Sequence, residues 1–303
     1  MSNDNDQRTD DLIARALEIE AEDARAAGAV GFMARALVQA TMPHRRVDGI
    51  QHVRRNGAYT LSMTAVQQGI GLPFGVWPRH FLQWIVTEAK RTGERTLVLG
   101  ETRTEFLRKV GYGKQGGPRS PAARMRDQTE RLLGCALAAS YRTDTQSQLA
   151  QFLLVDDADL WWTPVERRPV ERDALWCSTL TLSERFWGEI RDHGVPVDLR
   201  ILRDPSIRQS PLAIDVYAWL THRMYTVREP VVVPWRALKH QFGGSYPDSA
   251  LGLRNFRREL LRRVKDVIVL YPAAAVVQQD DGLELRPSPT SVAPTSPRRR
   301  LEG

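Results

Sequence analysis

Residues 248–266 hold the densest set of chemically directed side chains in the chain. Arg254, Arg258, Arg262 and Lys265 recur at i, i+4, i+8 and i+11, one continuous seam if the segment is a helix, with Arg257 and Arg263 flanking it. Leu253, Phe256, Leu260 and Val264 fall at i, i+3, i+7 and i+11 and make a second, apolar seam for packing. Between Arg236 and Lys265 stand eight Lys or Arg and two acids. An Arg stripe opposite a packing seam suits a helix that enters the DNA major groove. That groove is about 12 Å wide, phosphates line both walls, and guanine offers O6 and N7 to the donor fork of Arg. The competing reading is a solvated basic face. Such a face carries interspersed Glu for i, i+4 pairing, and here only Glu259 serves.

A second cluster places Arg119, Arg124, Arg126 and Arg131 against Asp127 and Glu130. Its leader, Gly113-Lys114-Gln115-Gly116-Gly117, exposes backbone N–H groups that could hold a phosphate. Lys114, Arg119, Arg236 and Lys239 are read as phosphate contacts that fix register. Arg124, Arg254, Arg257, Arg258 and Arg262 are the candidate base contacts, and Arg126, Arg131 and Lys265 complete the basic faces.

Other chemistries find less support. No Gly-x-x-x-x-Gly-Lys-Ser/Thr exists, so an ATPase reading fails. His44, His52, His80, His193, His222 and His240 are scattered, with no pair at metal spacing and no His-x-His. Asp156, Asp157 and Asp159 could hold a divalent metal as primase or nuclease carboxylates do. They read instead as a solvated turn between Val155 and Leu160, since no further acids gather nearby. Cys135 and Cys177 lack metal-ligand spacing and read as small buried hydrophobes. Trp161, Trp162 and Trp176 read as core rather than as a base-stacking platform. No catalytic residue, metal or cofactor is assigned.

The elements that must position the Arg seams follow from pattern. With 303 residues, 42% apolar and 26% charged, the chain has the composition of a globular protein with room for two domains. No apolar run is long enough to span a bilayer and the start lacks a signal peptide's basic opening, so a cytoplasmic protein without membrane contact is expected. The net charge is +7, yet residues 1–28 carry eight acids and three bases. An acidic leader thus precedes a basic body, which suggests a nucleic-acid partner or a solvated basic surface. Residues 8–40 read as helical, broken near Gly28 and Gly31, and residues 44–57 as a linker. Two modules of similar order follow. The first runs strand (Tyr59–Met63), helix (over Trp77, Phe81, Ile85 and Ala89), strand (Thr96–Gly100), two helices, then a hairpin around Thr143–Ser147. This is the layout of a winged helix. The second starts with strand Thr179–Leu182 and a helix capped by Ser183. It continues through an amphipathic helix over Leu212, Val216, Trp219 and Leu220, strand Val231–Val233, a short helix over Trp235, Leu238 and Phe242, the Arg-striped helix, and a hairpin turning at Asp281-Gly282. The fold class is α+β: two tandem winged-helix domains, 57–170 and 171–286, behind a helical leader and linker, 1–56. Residues 287–303, rich in Pro and Ser and ending in Arg298-Arg299-Arg300, read as a disordered basic tail.

Ordered blocks across residues 57–289 then become familiar. They are Gly71 to Arg79 (GLPFGVWPR), Asp157 to Trp162 (DADLWW), Ser178 to Phe186 (STLTLSERF) and Val195 to Leu199 (VPVDL). After them come Ser210 to Met224 (SPLAIDVYAWLTHRM), Gln241-Phe242-Gly243 and Tyr271 to Ala275 (YPAAA). In these the chain resembles the plasmid-encoded RepA replication initiator family. The resemblance implies a protein that binds repeated sequences (iterons) in double-stranded plasmid origin DNA, opens the adjacent duplex and recruits host replication proteins, the helicase and initiator among them. It also implies dimers that repress the protein's own gene and monomers that initiate, hence plasmid copy control. Residues 1–56 and the last 14 have no counterpart. The rival of the same architecture is a winged-helix repressor or autoregulator without origin melting. The rival of another class is an enzyme using Asp156, Asp157 and Asp159.

Overall fold

The computed structural model describes residues 2–100, 103–112, 120–160 and 178–294. Lys114 and Arg119 with the loop between them, Trp161, Trp162, Trp176, Cys177 and the Arg298–Arg300 run lie outside the described residues. The fold is mixed α+β with several small sheets. In chain order the first elements are α1 (Ser2–Glu20), β1 (Val30–Met33), α2 (Arg35–Gln39), β2 (Gln51–Asn56), β3 (Tyr59–Ala65) and α3 (Trp77–Thr92). Next come β4 (Thr96–Gly100), α4 (Arg103–Lys109), α5 (Pro121–Leu133), β5 (Cys135–Arg142), β6 (Ser147–Leu153) and β7 (Val155–Asp159). Then follow β8 (Ser178–Leu182), α6 (Glu184–His193), β9 (Val195–Asp198), α7 (Leu199–Arg203), α8 (Pro205–Arg208) and α9 (Pro211–Thr226). The last are β10 (Val231–Pro234), α10 (Trp235–Phe242), α11 (Ala250–Leu270), β11 (Val276–Gln278) and β12 (Gly282–Leu285). Two compact units result: Phe32–Gly194, and Met1–Gly31 together with Val195–Gly303.

In Phe32–Gly194, β2, β3, β5 and β6 form an antiparallel sheet in that order. Gly57, at φ 58°, makes the β2–β3 turn in a backbone region that side chains avoid. Leu61, Met63 and Leu137 point from this sheet into the core, where Phe81, Ile85 and Ala89 of α3 meet them at helical spacing. A second antiparallel sheet has the order β4-β8-β7. Ser120 caps α5 by accepting from the Ala123 N–H at 3.2 Å, and Ser183 caps α6 by accepting from Phe186 at the same distance. Arg79 and His52 are buried here. Arg79, 1% exposed, donates to the carbonyls of Gly75 and Met42, each at 2.7 Å, and of Pro43 at 3.2 Å. His52 lies 3.3 Å from the Thr41 carbonyl, and burial lowers its pKa to about 4.

In the other unit α9 is apolar almost all round and buried, as a central helix must be. Its Tyr217 hydroxyl accepts from the Asp198 N–H at 2.7 Å and lies 2.8 Å from Ser291 Oγ. β10, β12 and β11 form an antiparallel sheet with β12 central, pairing Val233 with Leu283 and Gln278 with Leu283 from opposite sides. α1 buries Ala16 and ties Arg15 to Asp204 at 2.5 Å.

Several expectations are corrected. The segment read as linker contains β2, because His52 alternates inward and the Asn56-Gly57 pair turns it onto β3. The helical reading of 8–40 is interrupted by β1. Asp156–Asp159 is not a turn but the edge strand β7, with Asp156 held by Arg95 at 2.5 Å. Thr179–Leu182, read as the opening of the second module, pairs with β4 and β7, and with the helix after it belongs to the unit of residues 32–194. The division therefore falls at 194/195 rather than 170/171. β4 joins this sheet and not the β5–β6 hairpin, since strand pattern predicts a strand but not its partner. The leader is no separate region, because residues 1–31 belong to the unit of 195–303. The tail expected to be disordered is packed as far as residue 294. Val292 is 1% exposed, Arg25 donates to the Ala293 carbonyl at 3.0 Å, and Tyr271 donates to the Pro289 carbonyl.

Candidate nucleic-acid interface

α11 starts where Ser249 Oγ accepts from the Gly252 N–H at 3.1 Å. Gly252 sits against the Pro247 carbonyl with no room for a Cβ, which seats the first turn closely on the preceding loop. Phe256, Leu260, Val264, Val267 and Leu270 are all buried, so the apolar seam runs the helix's whole length and past residue 266. On the opposite side Arg254, Arg258, Arg262 and Lys265 are exposed, at the spacing the sequence predicts.

The flanking cations are used differently. Arg257 turns toward Trp235, its Cζ 4.6 Å from the ring centroid, and its Nη1 donates to the Asp280 carbonyl at 3.4 Å. Trp235 in turn donates from Nε1 to the same carbonyl at 2.9 Å and from its backbone N to Asp281 at 3.0 Å. Arg257 therefore joins α11, the start of α10 and the β11–β12 turn. Arg263 is largely buried between Glu259, at 3.0 Å, and Asp266, at 3.2 Å. Arg262 also reaches Glu259, at 2.7 Å, but remains 60% exposed. Burial works to raise the Glu259 carboxyl, and the two guanidiniums overcome it and hold the group below its usual range.

On α10 Arg236 is exposed, whereas Lys239 is buried and gives its Nζ to Asp248 at 3.0 Å. That bond holds the Asp248 carboxyl low and anchors the loop before α11. On α5 Arg124 is exposed and Arg126 pairs with Glu130 at 2.9 Å. Arg131 bonds Asp127 at 3.0 Å and the Ile70 carbonyl, with its guanidinium 5.7 Å from the Phe74 ring centroid. It is a strut for the loop at 70–74. Of the sequence-assigned cations, then, Arg124, Arg126, Arg236, Arg254, Arg258, Arg262 and Lys265 face solvent. Arg131, Lys239 and Arg257 are engaged with the protein.

The Trp235–Arg257 stack carries no sequence signal, because two residues 22 apart on different helices share no periodicity. Among the described residues, no group of three His, Cys, Asp or Glu could hold a metal, and no helix is long and apolar enough to cross a membrane. Cys135 is buried, which pushes its thiol up to about 12.

Comparison with curated proteins gives no match. The family model described as plasmid-encoded RepA protein matches residues 72–236, more than half of the chain, and takes in α3 through the start of α10. By that match the chain belongs to the plasmid-encoded RepA protein family.

Proposed function

We propose that this RepA protein is a plasmid replication initiator. In this reading it binds repeated origin duplex (iterons) through tandem winged-helix units and lays the exposed face of α11 in the major groove. One observation carries it: Arg254, Arg258, Arg262 and Lys265 share one exposed face of a helix whose other face is buried along its length. At 1.5 Å per residue the four cations span about 17 Å, which reaches across the groove from wall to wall. The order α9, β10, α10, α11, β11, β12, with β10 pairing β12, supports a winged helix in the unit of residues 195–303. Within the unit of 32–194 the run α3, β4, α4, α5, β5, β6 follows the same order, but β4 pairs with β8 rather than with that hairpin. Arg236 contacts phosphate, Arg254, Arg258 and Arg262 supply base contacts, and Arg124 and Arg126 form a second, lesser contact on α5. Melting of adjacent duplex, recruitment of host replication proteins and autorepression by a homodimer complete the initiator's role. The activity is binding, not bond chemistry.

The test is fluorescence anisotropy on DNA flanking the protein's own gene, against a scrambled duplex, over a salt series. Binding at least about 10³-fold tighter to a repeated flanking element supports the reading. Equal and steeply salt-dependent binding to both duplexes reduces the stripe to an electrostatic surface. Permanganate footprinting then separates an initiator, which opens an adjacent AT-rich segment, from a repressor, which leaves it paired.

A further inference from the structure

At the head of the basic seam stands a side chain of the opposite kind. Leu251, in the first turn of α11, is 56% exposed. Residues 251, 254, 258, 262 and 265 follow one another at i, i+3, i+7, i+11 and i+14, so Leu251 continues the line of Arg254, Arg258, Arg262 and Lys265 toward the helix N-terminus. Its neighbour Gly252 packs on Pro247 and Ser249 caps the turn, so the backbone that carries Leu251 is fixed. Isolated exposed leucines are ordinary on protein surfaces. This one shares its face with four cations, on the turn that in groove-reading helices comes nearest the base edges.

The major groove offers one apolar feature, the C5-methyl of thymine, and a branched aliphatic side chain is its natural partner. We propose that Leu251 is a specificity-determining residue that packs on a thymine methyl in the recognised repeat. The inference rests on the proposed placement of α11 in the groove. Three residues of helix rise about 4.5 Å, little more than one base-pair step, so the thymine lies within about two base pairs of the base read by Arg254. Arg254 and Arg258 read base edges through hydrogen bonds, which leave the thymine methyl unread. Leu251 supplies discrimination, since cytosine or a purine at that place leaves its exposed surface in water.

Deoxyuridine differs from thymidine by that methyl alone, which makes the test direct. Each thymine of the bound repeat is replaced singly by deoxyuridine, and affinity is measured for the parent and for Leu251→Ala. One replacement is expected to weaken the parent about fourfold, the worth of one buried methyl, and to leave Leu251→Ala unchanged. If no replacement weakens the parent, or if the same loss persists in Leu251→Ala, the assignment is overturned while the placement of α11 survives. If the parent does not prefer the repeat over scrambled DNA, both fall together. Leu251 is exposed, so its truncation removes no core contact, and circular dichroism of the variant checks that.

Discussion

The guanidinium of Arg257 stacks on the indole of Trp235, its Cζ 4.6 Å from the ring centroid, and both side chains meet at the Asp280 carbonyl. A residue that reads as a base contact in sequence is thereby a positioning residue, which sets the β11–β12 turn against α11. Arg257→Ala is expected to loosen that turn, costing about 0.5–2 kcal/mol of stability, and Arg257→Lys to recover little of it, since an ammonium cannot stack as a plane. The salt slope of DNA binding should stay at the parent value. A slope lower by about one would return Arg257 to the phosphates.

Arg258 and Lys239 should separate cleanly. Arg258→Ala is expected to cost about 1–3 kcal/mol of binding and to relax preference at one base pair, read by competition with single-substituted duplexes. Equal loss on every sequence would mark Arg258 as a phosphate contact. Lys239→Ala should instead lower the melting temperature, because Asp248 loses its partner and the loop before α11 loses its anchor, while the salt slope is unchanged.

The buried His52 gives the unit of residues 32–194 an acid-sensitive component. Burial sets its folded pKa near 4, against about 6.5 when unfolded. Between those values the unfolded chain binds the proton and the folded chain does not, so stability falls as pH drops through this window and is whole above about 6.5. The loss attributable to this residue approaches about 3 kcal/mol by pH 4. His52→Gln cannot titrate, and denaturant unfolding of the two proteins from pH 7 to 4 should show a difference that shrinks or reverses by that amount. Parallel curves would remove His52 from the account.

Gly282 lies so close to the Val233 carbonyl oxygen that an added Cβ would collide with it. Gly282→Ala is expected to part β10 from β12 and to destabilise by about 1–3 kcal/mol, as overpacking does. Thermal unfolding reads the loss. An unshifted melt would mean that the turn yields without strain.

The sequence made much of α11 legible because two periodicities coincide there. Phe256, Leu260 and Val264 carry the buried seam, and Arg254, Arg258, Arg262 and Lys265 carry the exposed one. What it did not carry was partnership. Lys239, Arg131 and Arg257 look like the other cations in composition and spacing, and only the fold brings Asp248, Ile70 and Trp235 to them. Strand partners were hidden for the same reason. β4 and β8 are separated by some eighty residues, and the alternation of either says nothing of the other. Residues 287–294 misled by composition: Pro and Ser suggest disorder, yet Val292 and Ser288 are buried and Ser291 Oγ lies 2.8 Å from the Tyr217 hydroxyl.

The unit that carries the basic helix is discontinuous in the chain, with Phe32–Gly194 inserted between its two parts. During synthesis the inserted unit leaves the ribosome complete, while its host still lacks everything beyond Gly194. Even after α11 has emerged, Tyr217 waits for Ser291 and Arg25 for the Ala293 carbonyl. A nascent chain can therefore finish one unit early, but the host is not fully assembled until translation has passed residue 293. Order of manufacture thus leaves the unit of the basic helix unfinished until residues 291–293 have been made.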